Sequence, residues 1–183
     1  LCIVDTGGSH SDLTDEYAAV RKEMESVAEY LGKSVLREVD EDEFMKNIAD
    51  IRSSCGDRAV LRAMHFYGDN ARVEKQAAAL KAGDFETFKK YIIESGRSSY
   101  MYNQNVYSCK KASEQPVSLA LSLSEKLLDG CGAWRVHGGG FAGTIQAFVP
   151  LNKLDEYKDL MEKVFGSGSC YILSVRPVGG VEL

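Results

Sequence analysis

Two different periods of hydrophobic spacing order the elements of this chain. Leu1 to Asp5 reads as a short apolar strand, and Thr6-Gly7-Gly8-Ser9 as a turn. Leu13, Tyr17, Val20, Met24, Val27 and Leu31 then recur at steps of four and three, which puts them on one helical face. That helix is expected from about Asp12, with Asp12 or Thr14 as its cap and Gly32 at its end. Glu41 to Ser53 predicts a second helix with Phe44, Ile48 and Ile51 inward. Asp57 to Ala82 predicts a long third one, with Gly68 as its candidate break. Gly83-Asp84 stops that helix and caps the next, which runs to about Ser95. Tyr100 to Glu114 is polar and aperiodic and reads as a surface loop. Pro116 to Leu128 is a helix opening on proline. Lys153 to Phe165 is another, with Leu154, Tyr157, Leu160, Met161 and Val164 inward. Cys170 to Val175 predicts a strand, and Pro177-Val178-Gly179-Gly180 a turn into a last short one. Helices gathered early and strands late predict an α+β fold, with helices covering one face of an antiparallel sheet.

Composition narrows the classes of function. The 183 residues suit a single domain, and 44% hydrophobic with 27% charged residues is the balance of a globular protein. No apolar run approaches the ~20 residues of a membrane span. The net charge of −5, with no Lys/Arg cluster to offset it, argues against a nucleic-acid partner. Five cysteines stand far apart, at 2, 55, 109, 131 and 170, without a Cys-x-x-Cys pair. That spacing predicts free thiols and a reducing, cytoplasmic setting. The chain opens on a strand without an initiator methionine, so it reads as a piece of a longer protein.

The segment with most chemistry in it is Arg135-Val136-His137-Gly138-Gly139-Gly140-Phe141-Ala142-Gly143. Its spacing fits G-x-G-x-x-G, but a dinucleotide site needs a helix after the glycines to receive the pyrophosphate. Here Thr144 to Val149 alternates, is β-branched and stops at Pro150, as a strand does. No Gly-Lys-Ser/Thr follows, which excludes a P-loop. The glycines could converge their amides on an anion, or form a tight hairpin against another backbone, and the residues alone leave both open. His65, on a predicted helix, reads as a core histidine, and His137 as a structural hydrogen-bonding group. Three isolated histidines make no metal site, and without Gly-x-Ser-x-Gly a hydrolase triad has no anchor. Asp40-Glu41-Asp42-Glu43 reads as a solvated helix start.

That glycine segment resembles the third signature motif of the GHMP small-molecule kinases, most closely in its galactokinase form. Ser9-His10-Ser11-Asp12-Leu13-Thr14-Asp15-Glu16-Tyr17 with Arg21 resembles the start of the galactokinase C-terminal half. Arg62-Ala63-Met64-His65, Asn70-Ala71-Arg72-Val73 and Gly83-Asp84-Phe85 resemble its middle helices. Ser95-Gly96-Arg97-Ser98-Ser99 and Ser108-Cys109 follow in the family's order.

The resemblance implies a GHMP kinase C-terminal domain with a ferredoxin-like antiparallel sheet, over residues 13–183. Residues 1–12 would be the end of the sheet of the N-terminal half and the interdomain junction. The whole protein would transfer the γ-phosphoryl group of ATP, with Mg²⁺, to O1 of galactose. Tyr17 and Ser11 would contact the substrate, and Gly138, Gly139, Gly140, Phe141 and Gly143 would support the phosphate loop of the other half. The catalytic aspartate, the acidic sugar-binding segment and the main phosphate loop belong to that missing half, so this chain alone is expected to be inactive. Gly139→Val is expected to lower turnover by blocking domain closure. The chain departs from the family at Ser9, where arginine is usual, at Gly7-Gly8, at Ala142, where glycine is usual, and in the 100–114 segment. Those departures keep two other readings open: a non-catalytic sugar- and ATP-sensing regulator, and a kinase for another small sugar or alcohol.

Overall fold

A computed structural model describes residues 1–8 and 13–180 of the chain. Four strands, β1 (Cys2–Asp5), β2 (Ala133–Val136), β3 (Thr144–Phe148) and β4 (Cys170–Ile172), form one sheet in the order β2-β3-β1-β4. Every neighbouring pair is antiparallel, with Val4 opposite both Ile145 and Cys170. Among the described residues seven α-helices accompany it: α1 (Thr14–Tyr30), α2 (Glu41–Lys46), α3 (Ile48–Cys55), α4 (Asp57–Lys81), α5 (Phe85–Ser98), α6 (Pro116–Leu128) and α7 (Leu154–Phe165). One crossover joins β1 to β2 through α1 to α6, and a second joins β3 to β4 through α7. This is the ferredoxin-like strand order with a much enlarged first crossover.

The alternation of each strand decides what covers it. Cys2, Val4, Val136, Ile145 and Ala147 point to one face and pack against Val117, Ala120 and Leu128 of α6 and Tyr157 and Met161 of α7. The Tyr157 hydroxyl, buried by that packing, meets Ser124 Oγ at 2.9 Å, which satisfies both groups. On the other face Ala133, with Phe148 beside it, packs against Phe88 and Ile92 of α5 and Ala79 of α4. Helices therefore cover both faces at the β2 end, not one face as the pattern predicts. A second core joins Val27 and Ala28 of α1, Phe44 of α2, Ile51 of α3 and Ala59 and Ala63 of α4.

Several boundaries depart from the sequence reading for local reasons. Residues 41–55 form two helices, because Asn47 leaves the helical region (φ −102°, ψ 9°) and serves as an end of both. α4 runs unbroken through Gly68, where the missing Cβ leaves room for the Arg72 guanidinium. Leu13, not Thr14, is the N-cap of α1, and Asp12 lies outside the described residues. Asp84 caps α5 as expected, accepting a hydrogen bond from Thr87 N at 3.0 Å. On α7, Val164 is exposed and Phe165 takes the inward place assigned to it. β4 ends at Ile172 rather than Val175, and the last predicted strand reaches residues that are not described. β1 is an inner strand of this sheet, bonded to β3 on one side and β4 on the other, and residues 9–12 of the expected junction lie outside the described residues. The 100–114 segment is a surface loop only in part: residues 109–114 are exposed, but it starts in a π-helical turn, Ser99–Asn103, and Asn103, Asn105, Val106 and Ser108 are buried.

A polar network anchors β2 to α4 and α5. Arg135 Nη1 donates to Ser95 Oγ at 2.7 Å, and Ser95 Oγ donates to Asp69 Oδ1 at 2.7 Å. Arg72 Nε reaches the same carboxylate at 3.0 Å, and His65 Nδ1 meets Ser98 Oγ at 2.9 Å. Burial works against the Asp69 carboxylate, yet the Ser95 and Arg72 hydrogen bonds and the charges of His65 and Arg135 hold it below the usual carboxylate range. Burial also holds the His65 imidazole below the ordinary histidine range. Asp69 opposes that, and Arg72 and Arg135 add to it.

Two predictions follow from this packing. Ile145→Ala empties a site at the centre of the sheet and is expected to cost about 2–5 kcal/mol. Val164→Ala, at a position the periodicity treats as equally inward, is expected to cost under about 0.5 kcal/mol. Urea denaturation compares the two. The depressed His65 pKa makes the unfolded chain the better proton acceptor, so its stabilising contribution is complete above about pH 6.5 and is lost as the pH falls through the folded value. The urea midpoint is expected to fall between about pH 7.5 and about pH 5.5, and His65→Gln to flatten that slope.

Candidate functional site

The β2–β3 hairpin carries its glycines in a loop of unusual backbone. His137 N donates to Thr144 O at 3.0 Å and closes it. Gly138, Gly140, Phe141 and Gly143 have φ values of +69°, +82°, +58° and +90°. Three loop carbonyls receive hydrogen bonds from distant parts of the chain. Asn105 Nδ2 donates to Gly139 O at 3.1 Å, and the Tyr17 hydroxyl to Gly140 O at 2.8 Å. Thr6 donates twice to Gly143 O, from its amide at 2.9 Å and its hydroxyl at 2.6 Å. In the opposite sense, Phe141 N donates to the Asn105 backbone carbonyl at 2.5 Å.

Side-chain packing fixes the rest. Phe141, a non-glycine residue in the left-handed region, is held there by burial against Leu13, Ala142, Val20 and Tyr17. The Tyr17 and Phe141 rings meet edge to face at 5.3 Å. Burial lifts the Tyr17 phenol above the ordinary tyrosine range, which keeps its proton available for Gly140. The loop tolerates almost no added volume. A Cβ at Gly140 would overlap the Asn105 carbonyl, and one at Gly139 would lie 2.8 Å from Tyr17 Cε1. The Ala142 methyl is accommodated opposite Gly8, where a side chain would approach it to 3.0 Å. The two departures at Gly8 and Ala142 thus compensate each other.

A cleft of about 600 Å³ opens beside this loop. Gly7, Gly8, Leu13, Phe141 and Ala142 form one side of it, and Lys111, Gln115 and Pro116 the other, where α6 begins. The α6 N-terminus brings the positive end of a helix to the cleft, a setting favourable to anions. Tyr17 does not line this cleft. It stands behind Phe141 and borders a second groove of about 360 Å³ with Val20, Met24 and Phe66. The structure therefore brings Tyr17, Gly139, Gly140 and Phe141 into direct contact and places Gly143 on the Thr6 side of the same loop. Ser11, the other candidate substrate contact, lies outside the described residues, as do Ser9 and His10. His65 is buried on Ser98, and His137 Nδ1 pairs with Gln146 Oε1 at 3.1 Å, the structural roles expected of both.

The sequence analysis assigns no role to the residues that position this loop from the α4 side. Asn105 grips it twice. Arg62, wholly buried on α4, donates to Asn103 O at 3.0 Å and to Glu23 Oε2 at 2.9 Å. Arg58 holds the same Glu23 carboxylate in a fork, with Nε at 3.0 Å from one oxygen and 3.1 Å from the other. Burial lowers the Arg62 pKa, and Glu23 opposes that shift. Ser108 Oγ donates to Glu16 Oε1 at 2.7 Å and ties the segment to α1. The one signal in the sequence was Arg62 itself, a charge standing between the apolar Ala59, Ala63 and Phe66 of the inward face of α4.

No family model matches the chain. It is 31% identical to human galactokinase over 183 residues, which is all of this chain and 44% of that protein. Galactokinase of Bos taurus is 30% identical over 173 residues, covering 94% of this chain and 41% of the relative. Galactokinase of Glaesserella parasuis is 26% identical over 161 residues, covering 88% and 40%. The chain thus spans a little over two fifths of the length of these relatives. The crystal structure of Lactococcus lactis galactokinase complexed with galactose matches the fold with a TM-score of 0.67 at 21% identity, over 93% of this chain and 43% of that one. Full-length similarity on this side and partial coverage on the other have one reading: the chain belongs to the galactokinase family and corresponds to the C-terminal part of its members.

Proposed function

We propose that the protein containing this chain transfers the γ-phosphoryl group of ATP to galactose, and that this chain forms the rear wall of the cleft where the two meet. The observation that carries the reading is the contact between Tyr17, the candidate sugar residue, and the glycine loop, at 2.8 Å from its hydroxyl to Gly140 O. The two elements the resemblance assigns to sugar and phosphate are one packed unit, so a change at either is felt at the other. Phosphoryl transfer depends on positioning and on charge stabilisation more than on covalent chemistry by the protein. A loop with its carbonyls and side chains fixed in advance suits that task.

Among the described residues no group of three or more His, Cys, Asp or Glu side chains could hold a metal ion. Mg²⁺ is therefore not assigned to this chain; in this proposal the nucleotide phosphates and the rest of the protein hold it. Ser11 keeps its proposed place as a second sugar contact. Among the described residues no helix is long and apolar enough to cross a membrane. All five cysteines are free thiols, which supports a reducing, cytoplasmic setting.

The chain alone is expected to show no phosphorylation of galactose by coupled ADP release, whereas the full-length protein does. Turnover by the isolated chain sinks the division of labour proposed here. In the full-length protein, Tyr17→Phe removes the hydroxyl that serves Gly140 and is expected to lower kcat/KM for galactose by about tenfold, the equivalent of about 1.4 kcal/mol. Gly139→Val drives a branched side chain into the Tyr17 ring and is expected to lower turnover further. Steady-state kinetics on a panel of sugars read all of these effects.

A further inference from the structure

The segment 103–108 has no role in the sequence analysis, yet it bonds the loop, α1 and α4. It leaves the π-helical turn through Gln104 in the left-handed region, at φ +53°. That single reversal turns Asn103 toward α4 and Asn105 toward the glycines. Asn103 O takes the Nε proton of Arg62, whose Nη1 is fixed on Glu23 of α1. At the far end Ser108 is fixed on Glu16, and Lys110 Nζ lies 3.2 Å from Asp15 Oδ2. Asn105, only 5% exposed, then spans Gly140: its side-chain amide holds the carbonyl before it and its backbone carbonyl holds the amide after it.

We propose that Asn105 is a positioning residue that sets the conformation of the glycine loop, with the buried Arg62 and its partner Glu23 as its anchor; its bearing on turnover rests on the phosphoryl-transfer reading above. The chemistry selects asparagine. The group facing Gly139 O must be a donor, because an oxygen there would face the carbonyl oxygen in repulsion. Asn105 Oδ1 is buried and receives no hydrogen bond, so the Gly139 contact alone orients the amide. The side chain is also the length that lets its own main chain reach Phe141. Tyr17 holds the carbonyl of Gly140 between those two contacts, so two donors, from α1 and from the 103–108 segment, and the Asn105 carbonyl as acceptor fix three successive residues of the loop.

The test uses Asn105→Ala, which deletes the donor, and Asn105→Asp, which keeps the shape and replaces the donor with an oxygen. In the 183-residue chain, hydrogen exchange of the amides of residues 139–142 is expected to rise at least tenfold in both variants, with the amides of β1 and α4 unchanged. Unchanged loop exchange in a folded variant overturns the proposal. So does failure of both variants to fold, since Asn105 would then serve the whole domain rather than the loop. In the full-length protein the variants are expected to lose at least tenfold in kcat while KM for galactose stays within twofold, a split that simple loss of folded protein does not produce. Faster loop exchange with an unchanged kcat overturns the role in turnover. Faster loop exchange in a protein whose unaltered form phosphorylates no galactose overturns the phosphoryl-transfer reading and leaves the positioning of the loop standing.

Discussion

A backbone that runs through four positive φ values within six residues closes few of its hydrogen bonds with its neighbours. Ala142 N donates to Gly140 O at 2.7 Å, and the carbonyls of Gly139, Gly140 and Gly143 take further donors 34, 123 and 137 residues away. A buried carbonyl that loses its partner costs ~1–3 kcal/mol, so the shape of the loop depends on where those donors stand. The position of β1, the tilt of α1 and the path of residues 103–108 are all bound by that requirement. Thr6 follows directly from β1, which explains why β1 is an inner strand: it delivers its last residue beside the end of the loop that pairs with it through β3.

The helical layer meets the same requirement with charge. Arg62 is wholly buried, and a charge taken out of water needs partners. Glu23 binds its Nη1 and Asn103 O its Nε, one from α1 and one from the segment that carries Asn105, while Nη2 is buried with no hydrogen-bond partner. An apolar residue in that place would pack α1 on α4 equally well, but would set no register between them and would leave Asn103 O without a partner. Loss of one member of such a pair leaves a buried charge uncompensated, which is why the arrangement is specific rather than merely adhesive. The Asp69–Ser95–Arg135 network does the same for β2, at the other root of the loop.

What the sequence reveals and conceals here follows from the range of the interactions. The hairpin was legible because its pattern is local: alternating residues, four glycines and a closing proline. The Asp84 cap and the proline-led start of α6 were legible for the same reason. The contact of Tyr17 with the glycine loop was available only through a resemblance, since nothing in the spacing of positions 17 and 140 implies it. In the 100–114 segment polarity matches exposure over residues 109–114 but not before them. The buried Asn105 and Ser108 side chains are polar because they serve a backbone carbonyl and a carboxylate of other elements, and Asn103 gives its backbone carbonyl to Arg62. Asn47 and Val164 were misread by a different route, where a periodic stripe was extended past the point at which the neighbouring helices allow it.

Tyr17 ties α1 to the glycine loop through a single proton. A phenol has one to donate, and here it goes to Gly140 O, with burial keeping it on the oxygen. If Tyr17 meets the sugar as proposed above, a sugar hydroxyl would approach that phenol as the donor. A chain from hydroxyl to phenol to carbonyl would then run in one direction, each link reinforcing the next. The Gly140 carbonyl, between the two contacts that Asn105 makes on either side of it, would be held more firmly with the sugar in place. The left-handed backbone of Phe141 depends on the same partners, because a non-glycine residue keeps that conformation only where its surroundings hold it.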